Sequence, residues 1–176
     1  MTTATAALAA DIAASMGAGS LHERATAIAV NQPGFLADGT AAKCLARHAG
    51  HERYGLTDIT ADRNVLEILA GILDPTYGLI LYREQVVALT LAITGRDGCD
   101  RLWARLLWDD LDTVEDHRVP VVHGRVAPWN YDDAARTWDR VVAAAPHVVS
   151  AETTYRIAAS RLAMDTVAKL WFKKDA

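Results

Sequence analysis

The sequence predicts an all-α fold, a single helical domain of 176 residues. Three observations carry that expectation. Alanine is the commonest residue, at 33 positions, and suits closely packed helices. Apolar residues recur at helical spacing in most segments. Helix start and stop signals punctuate the chain at short intervals. The hydrophobic share of 51% and charged share of 23% are those of a folded domain. At this size about 70% of the unfolded surface can be buried, so no disulfide or metal staple is needed.

The elements follow in order. Ala6 to Met16 reads as a helix ended by Gly17. Ser20 and Glu23 form the capping-box spacing, in which each side chain satisfies the other's orphan N–H, and open a helix to Val30. Asn31-Gln32-Pro33-Gly34 stops it. Thr40 caps a helix that runs to Gly50, and a polar loop, His51 to Thr57, follows. Thr60 or Asp62 caps the next helix, with Val65, Leu66, Ile68, Leu69, Ile72 and Leu73 on its apolar face. Asp74 to Gly78 is a turn, Leu79 to Thr94 an apolar helix broken at Gly95, and Asp100 to Trp108 another helix. Val119, Val121, Val122 and Val126 suit a small hairpin around His123-Gly124. A helix over Asp132 to Ala145 is closed by Pro146, and a last one runs from Ser150 or Ala151 to Trp171.

Charge and motif content exclude several functions. The net charge is −4 and the pI near 5.8, which disfavours DNA binding by overall electrostatics. No apolar run reaches the roughly 18 residues that cross a bilayer, so no membrane role is expected. Residues 1–10 carry no basic region of the signal-peptide kind. Cys44 and Cys99 are too few for a disulfide framework, and a reduced, cytoplasmic setting is the default. No phosphate-cradling glycine loop, His-Glu-x-x-His, Cys-x-x-Cys or Gly-x-Ser-x-Gly is present, and no cofactor is expected. His48 and His51 lie three apart, but two ligands do not make a metal site.

One stretch is far more specific. Leu73-Asp74-Pro75-Thr76-Tyr77-Gly78-Leu79-Ile80-Leu81-Tyr82-Arg83-Glu84-Gln85-Val86 resembles the fingers region of bacterial replicative DNA polymerase III alpha subunits, the C-family polymerases. That family reads Pro-Thr-Tyr-Gly-Ile, then apolar residues and Tyr-Gln-Glu-Gln-Val. Asn31 to Phe35 is similar to its Tyr-Arg-Pro-Gly-Pro, and Arg47-His48-Ala49-Gly50 to its Arg-Lys-His-Gly. The resemblance covers residues 20–176, a fingers-like module, with an N-terminal helical segment over 1–19 ahead of it.

The departures shape the expected function. The family's next helix ends in Leu-Arg-Arg-Ala-Met-Gly-Lys-Lys, whose basic groups hold the incoming triphosphate. Here the matching run is Ala104 to Leu111, which keeps one arginine, Arg105, and brings in Trp108, Asp109 and Asp110. Residues 96–116 hold three arginines against seven acids. Like charges a few ångströms apart cost on the order of 1 kcal/mol even near the surface, so a triphosphate is repelled here. The family's Asn-Lys-Ser-His is replaced by Val149-Ser150-Ala151-Glu152. The palm aspartates that the family places upstream are not among these residues, and two-metal phosphoryl transfer needs them. The resemblance therefore implies a degenerate fingers module without polymerase activity.

Three functions follow as expectations. The first is an accessory or regulatory module that binds replication proteins, DNA or nucleotide, with DNA binding weak at best. The second is an enzyme of another class, such as natural-product biosynthesis, with the former nucleotide cleft reused for a small molecule. There Tyr77 and Glu84 would be the catalytic pair, and Arg47, His48, Tyr82, Gln85, Arg105 and Trp108 the ligand contacts. The third is a self-assembling protein that uses its alanine-rich first helix. Structural roles stand beside each of these. Tyr77 and Tyr82 can pack the helix start, Glu84 favour its dipole, Gln85 satisfy buried backbone, and Arg105 pair with Asp109 or Asp100.

Overall fold

The computed structural model of the protein describes residues 3–95 and 113–172. Its helices are α1 (Thr3–Met16), α2 (Leu21–Val30), α3 (Pro33–Ala37), α4 (Thr40–His48), α5 (Arg63–Leu73), α6 (Arg83–Thr94), α7 (Arg118–His123), α8 (Tyr131–Ala144) and α9 (Ala151–Phe172). Short 3-10 turns cover Asp74–Thr76 and Glu115–His117. Among the described residues there is no strand, only an isolated parallel bridge between Tyr82 and Val149. The fold is all-α.

Helix α6 is the axis of one half. Its residues Val86, Val87, Leu89, Thr90 and Ile93 are buried around its circumference, as expected of a helix enclosed by others. Helices α5, α7 and α8 pack on it. In the other half α2 lies against α9 and α1, and α1 also touches α3 and α4. Ile12 and Met16 of α1 are fully buried, so the N-terminal segment belongs to the shared core. Trp129 and Trp138 are buried as well.

Local signals set many boundaries. Ser20 and Glu23 form the capping box of α2, which stops at Asn31. Asp62 caps α5 by accepting from Asn64 and Val65 N–H. Gly95, at φ +69°, closes α6. Asn130 caps α8.

Four boundaries differ from expectation. Helix α6 begins at Arg83, not Leu79. Residues 79–82 stay outside the helix because the Gln85 side chain takes up the Leu81 and Tyr82 N–H groups. Val149 N–H also donates to the Leu81 carbonyl, at 3.1 Å. A short apolar run reads alike in a buried helix and a buried extended segment. Thr40 is not a cap: Gly39 holds that position at φ +86°, and the Asp38 carboxylate accepts from Thr40 N–H. Pro33 does not simply end α2, since it starts α3 at once. The hairpin is absent, and residues 118–123 form α7. Adjacent Val121 and Val122 are both buried, whereas successive strand residues face opposite sides. The expected helix over 100–108, with Arg105 and Trp108, lies outside the described residues.

Candidate functional site

The motif centres on the turn between α5 and α6. Pro75 sets the first φ of the Asp74–Thr76 turn. Tyr77 then adopts the left-handed conformation at φ +56°, which a non-glycine residue holds only when its surroundings compel it. Three backbone bonds do so: Tyr77 N–H to Asp74 at 3.0 Å, Gly78 N–H to Leu73 at 2.9 Å, and Leu79 N–H to Thr76 at 3.1 Å. Gly78 follows at φ +77°, and a Cβ there would sit 2.5 Å from the Tyr54 ring. Glycine is needed on both counts.

Gln85 locks this turn to α6. Its Oε1 accepts from Leu81 and Tyr82 N–H at 2.8 and 3.0 Å. Its Nε2 donates to Thr76 Oγ1 at 2.7 Å and to the Ile72 carbonyl at 3.1 Å. The side chain is 8% exposed, so its polar capacity is spent on backbone and on Thr76.

Helix α4 supplies the next layer. Arg47 NH1 donates to the Tyr77 carbonyl at 2.8 Å, and its Nε and NH2 reach Glu52 at 2.9 Å. The guanidinium lies 5.6 Å from the centre of the Tyr54 ring. Tyr54 donates to Asp74, and burial, with Asp74's hydrogen bond and charge behind it, pushes its hydroxyl up to about 12. His48 Nδ1 lies 2.9 Å from the Tyr77 hydroxyl, with the rings edge to face. Glu23 Oε1 stands 3.9 Å from that same nitrogen. Ser20's hydrogen bonds hold the Glu23 carboxyl below its ordinary value. Burial raises the Tyr77 hydroxyl, so it stays protonated and offers a hydrogen bond, not a base.

A second cluster joins α2 to α9. His22 bonds the Pro75 carbonyl through Nε2 and the Tyr155 hydroxyl through Nδ1. A carbonyl only accepts, so Nε2 carries the proton in the neutral ring and Nδ1 accepts from Tyr155. The Tyr82 ring lies 6.2 Å from that of Tyr155. Its hydroxyl is buried near Thr26 and Thr154, and burial pushes it up to about 12. Cys44 is fully buried, and desolvation pushes its thiol up to about 12.

Glu84 stands elsewhere. Both its oxygens accept from Ala151 N–H, at 3.0 and 2.9 Å, and Ser150 Oγ lies 3.4 Å away. It caps α9 from outside, where a carboxylate meets the positive end of the helix.

The structure thus brings Arg47, His48 and Tyr77 together and places Tyr82 and Gln85 along the same turn. The described contacts do not join Glu84 to Tyr77. Arg105 and Trp108 lie outside the described residues. His22, Glu23, Tyr54 and Tyr155 were missed as members of the cluster. Glu23 had a local signal, its capping box, but nothing within four residues of His22 points to Tyr155, 133 positions away. Among the described residues no group of three or more His, Cys, Asp or Glu is placed to hold a metal ion. No helix among them is long and apolar enough to cross a membrane. No family model, curated protein or solved structure matches the chain.

Proposed function

We propose that the chain is a fingers-like binding module without polymerase activity, acting as an accessory or regulatory partner of replication proteins, DNA or nucleotide. One observation carries the reading. The residues that bear the resemblance, Thr76, Tyr77, Gly78, Tyr82 and Gln85, interlock as one hydrogen-bonded turn gripped by Arg47. Binding without chemistry also fits the state of the polar groups. Tyr77 is bonded to His48, and Glu84 caps α9. Neither is a free acid or base.

The test is a thermal-shift panel of nucleoside triphosphates with magnesium, primed DNA and purified replication proteins, run beside a primer-extension assay. A ligand at a hundred times its Kd adds about 2.7 kcal/mol of stability. That corresponds to a shift of roughly 5–10 °C for a chain of this length. A shift with no primer extension is the expected result. No shift with any member of the panel overturns the reading.

A second reading, a small-molecule enzyme, rests on the half-buried His48–Tyr77 pair at 2.9 Å. It predicts that a metabolite library, and not the replication panel, shifts the melting temperature. His48→Ala and Tyr77→Phe would each abolish turnover of the metabolite so found.

A further inference from the structure

A groove of about 400 Å³ opens between α3–α4, residues 78–80 and the last turn of α8. Its size is that of a small-molecule site. The floor is apolar: Phe35, Leu73 and Ile80 are 1%, 1% and 7% exposed, and Leu79 lies beside them. The rim is charged. Lys43 and Arg47 come from α4 and Arg140 from α8, with Asp38 and Asp58 among them.

The rim charges are not equivalent. Arg47 is committed to Glu52 and the Tyr77 carbonyl. Arg140 reaches Asp58 through NH2, which leaves its Nε and NH1 donors over. Lys43 is exposed and has no charge partner among the described residues. Arg47 is matched by Glu52 and Arg140 by Asp58, which leaves Lys43 as the rim cation without an ion-pair partner among the described residues. A polyanion would meet Asp38 and Asp58 as repulsion, whereas one anionic group can sit at Lys43 and take up the spare Arg140 donors. An apolar floor beneath an unspent cation suits a molecule with the same two parts.

We propose that this groove binds a small carboxylate with an apolar body, its head at Lys43 and Arg140 and its body against Phe35, Leu79 and Ile80. The inference rests on the groove alone and holds whether or not the fingers-like reading does.

The test uses the full chain and 8-anilinonaphthalene-1-sulfonate, a single anionic group on an apolar body whose fluorescence rises in apolar surroundings. The expected result is a saturable rise at one site per chain, displaced by decanoate ahead of decanol and of ATP. Lys43→Glu should weaken binding about tenfold or more, as loss of a charge-assisted contact does. Ala143→Trp, at the exposed rim, should close the groove. Arg161→Glu, in a separate groove between α1 and α2, should bind as the parent does. Circular dichroism checks that each variant folds, and both rim positions are exposed. The proposal is overturned by the absence of a saturable site, or by Lys43→Glu and Ala143→Trp binding like the parent. It is equally overturned if decanol displaces as well as decanoate, or ATP ahead of it.

Discussion

The turn over 74–85 and the groove beside it use polar groups in opposite ways. In the turn, Gln85 is spent on Leu81, Tyr82, Thr76 and Ile72, Arg47 on Tyr77 and Glu52, and the Tyr77 hydroxyl on His48. In the groove, Lys43 has no charge partner among the described residues and Arg140 has one. The residues with the strongest motif are thus the most occupied. Those with the weakest sequence signal have donors to offer. A motif can persist because the fold needs it, while ligand contacts sit on side chains that read only as solvated surface.

Four measurements break or sharpen that contrast. Among single substitutions at neutral pH, the largest effect is expected at Gln85. Gln85→Leu leaves the buried Leu81 and Tyr82 N–H groups without acceptors, and each such loss costs about 1–3 kcal/mol. A total near 3 kcal/mol should appear as a lower denaturant midpoint at unchanged slope. A loss below about 1 kcal/mol would mean that the turn does not depend on this side chain.

Alkaline stability comes next. Tyr82 and Cys44 have ordinary values of 10.0 and 9.0 and are both pushed up to about 12 by burial. The folded state therefore holds its protons where the unfolded state has released them, and stability falls with rising pH. The loss begins near pH 9 for Cys44 and near 10 for Tyr82, and continues to about 12. Tyr82 should account for about 2 kcal/mol of it. Urea unfolding from pH 8 to 12 measures this, and Tyr82→Phe should flatten the upper part of the curve. A parent stability that does not change over that range would contradict the burial of both groups.

Glu84→Ala should cost about 1 kcal/mol, the ordinary worth of a helix cap. Glu84→Gln, which keeps an acceptor for Ala151 N–H, should cost less. If Glu84→Ala were silent in unfolding yet abolished a ligand-dependent activity, Glu84 would belong with the functional groups after all. The smallest effect is Tyr77→Phe, which removes one half-buried bond to His48, about 0.5–1.5 kcal/mol. A larger loss of ligand binding than of stability in that variant would move Tyr77 to the ligand side of the contrast.

The site was legible only in part. Sequence reasoning found the turn and grouped Arg47 with His48, and both side chains do reach Tyr77. It paired Tyr77 with Glu84 because both belong to the motif at the start of this helix, where they were expected to line one pocket. Glu84 instead meets Ala151, 67 positions away, and no local pattern encodes that partner. Tyr54 and Tyr155 escaped for the same reason. Each becomes part of the cluster through packing against another element.

By itself the sequence determined the helical class, the capping box of α2 and the stops at Asn31 and Gly95, and it narrowed the α5 cap to Thr60 or Asp62, of which the structure shows Asp62. These rest on a 3.6-residue period and on bonds that span about four residues, so a short window contains the whole cause. Tertiary structure alone decided that α6 starts at Arg83, that Tyr77 turns left-handed, that Glu84 caps α9 and that Lys43 and Arg140 face one groove. Several of these hinge on groups that folding draws in from distant segments: Val149 beside Leu81, Arg47 beneath the Tyr77 carbonyl, Ala151 at the Glu84 carboxylate. Burial then makes each such bond costly to leave unmade, and that cost selects the local conformation over what the chain would prefer alone.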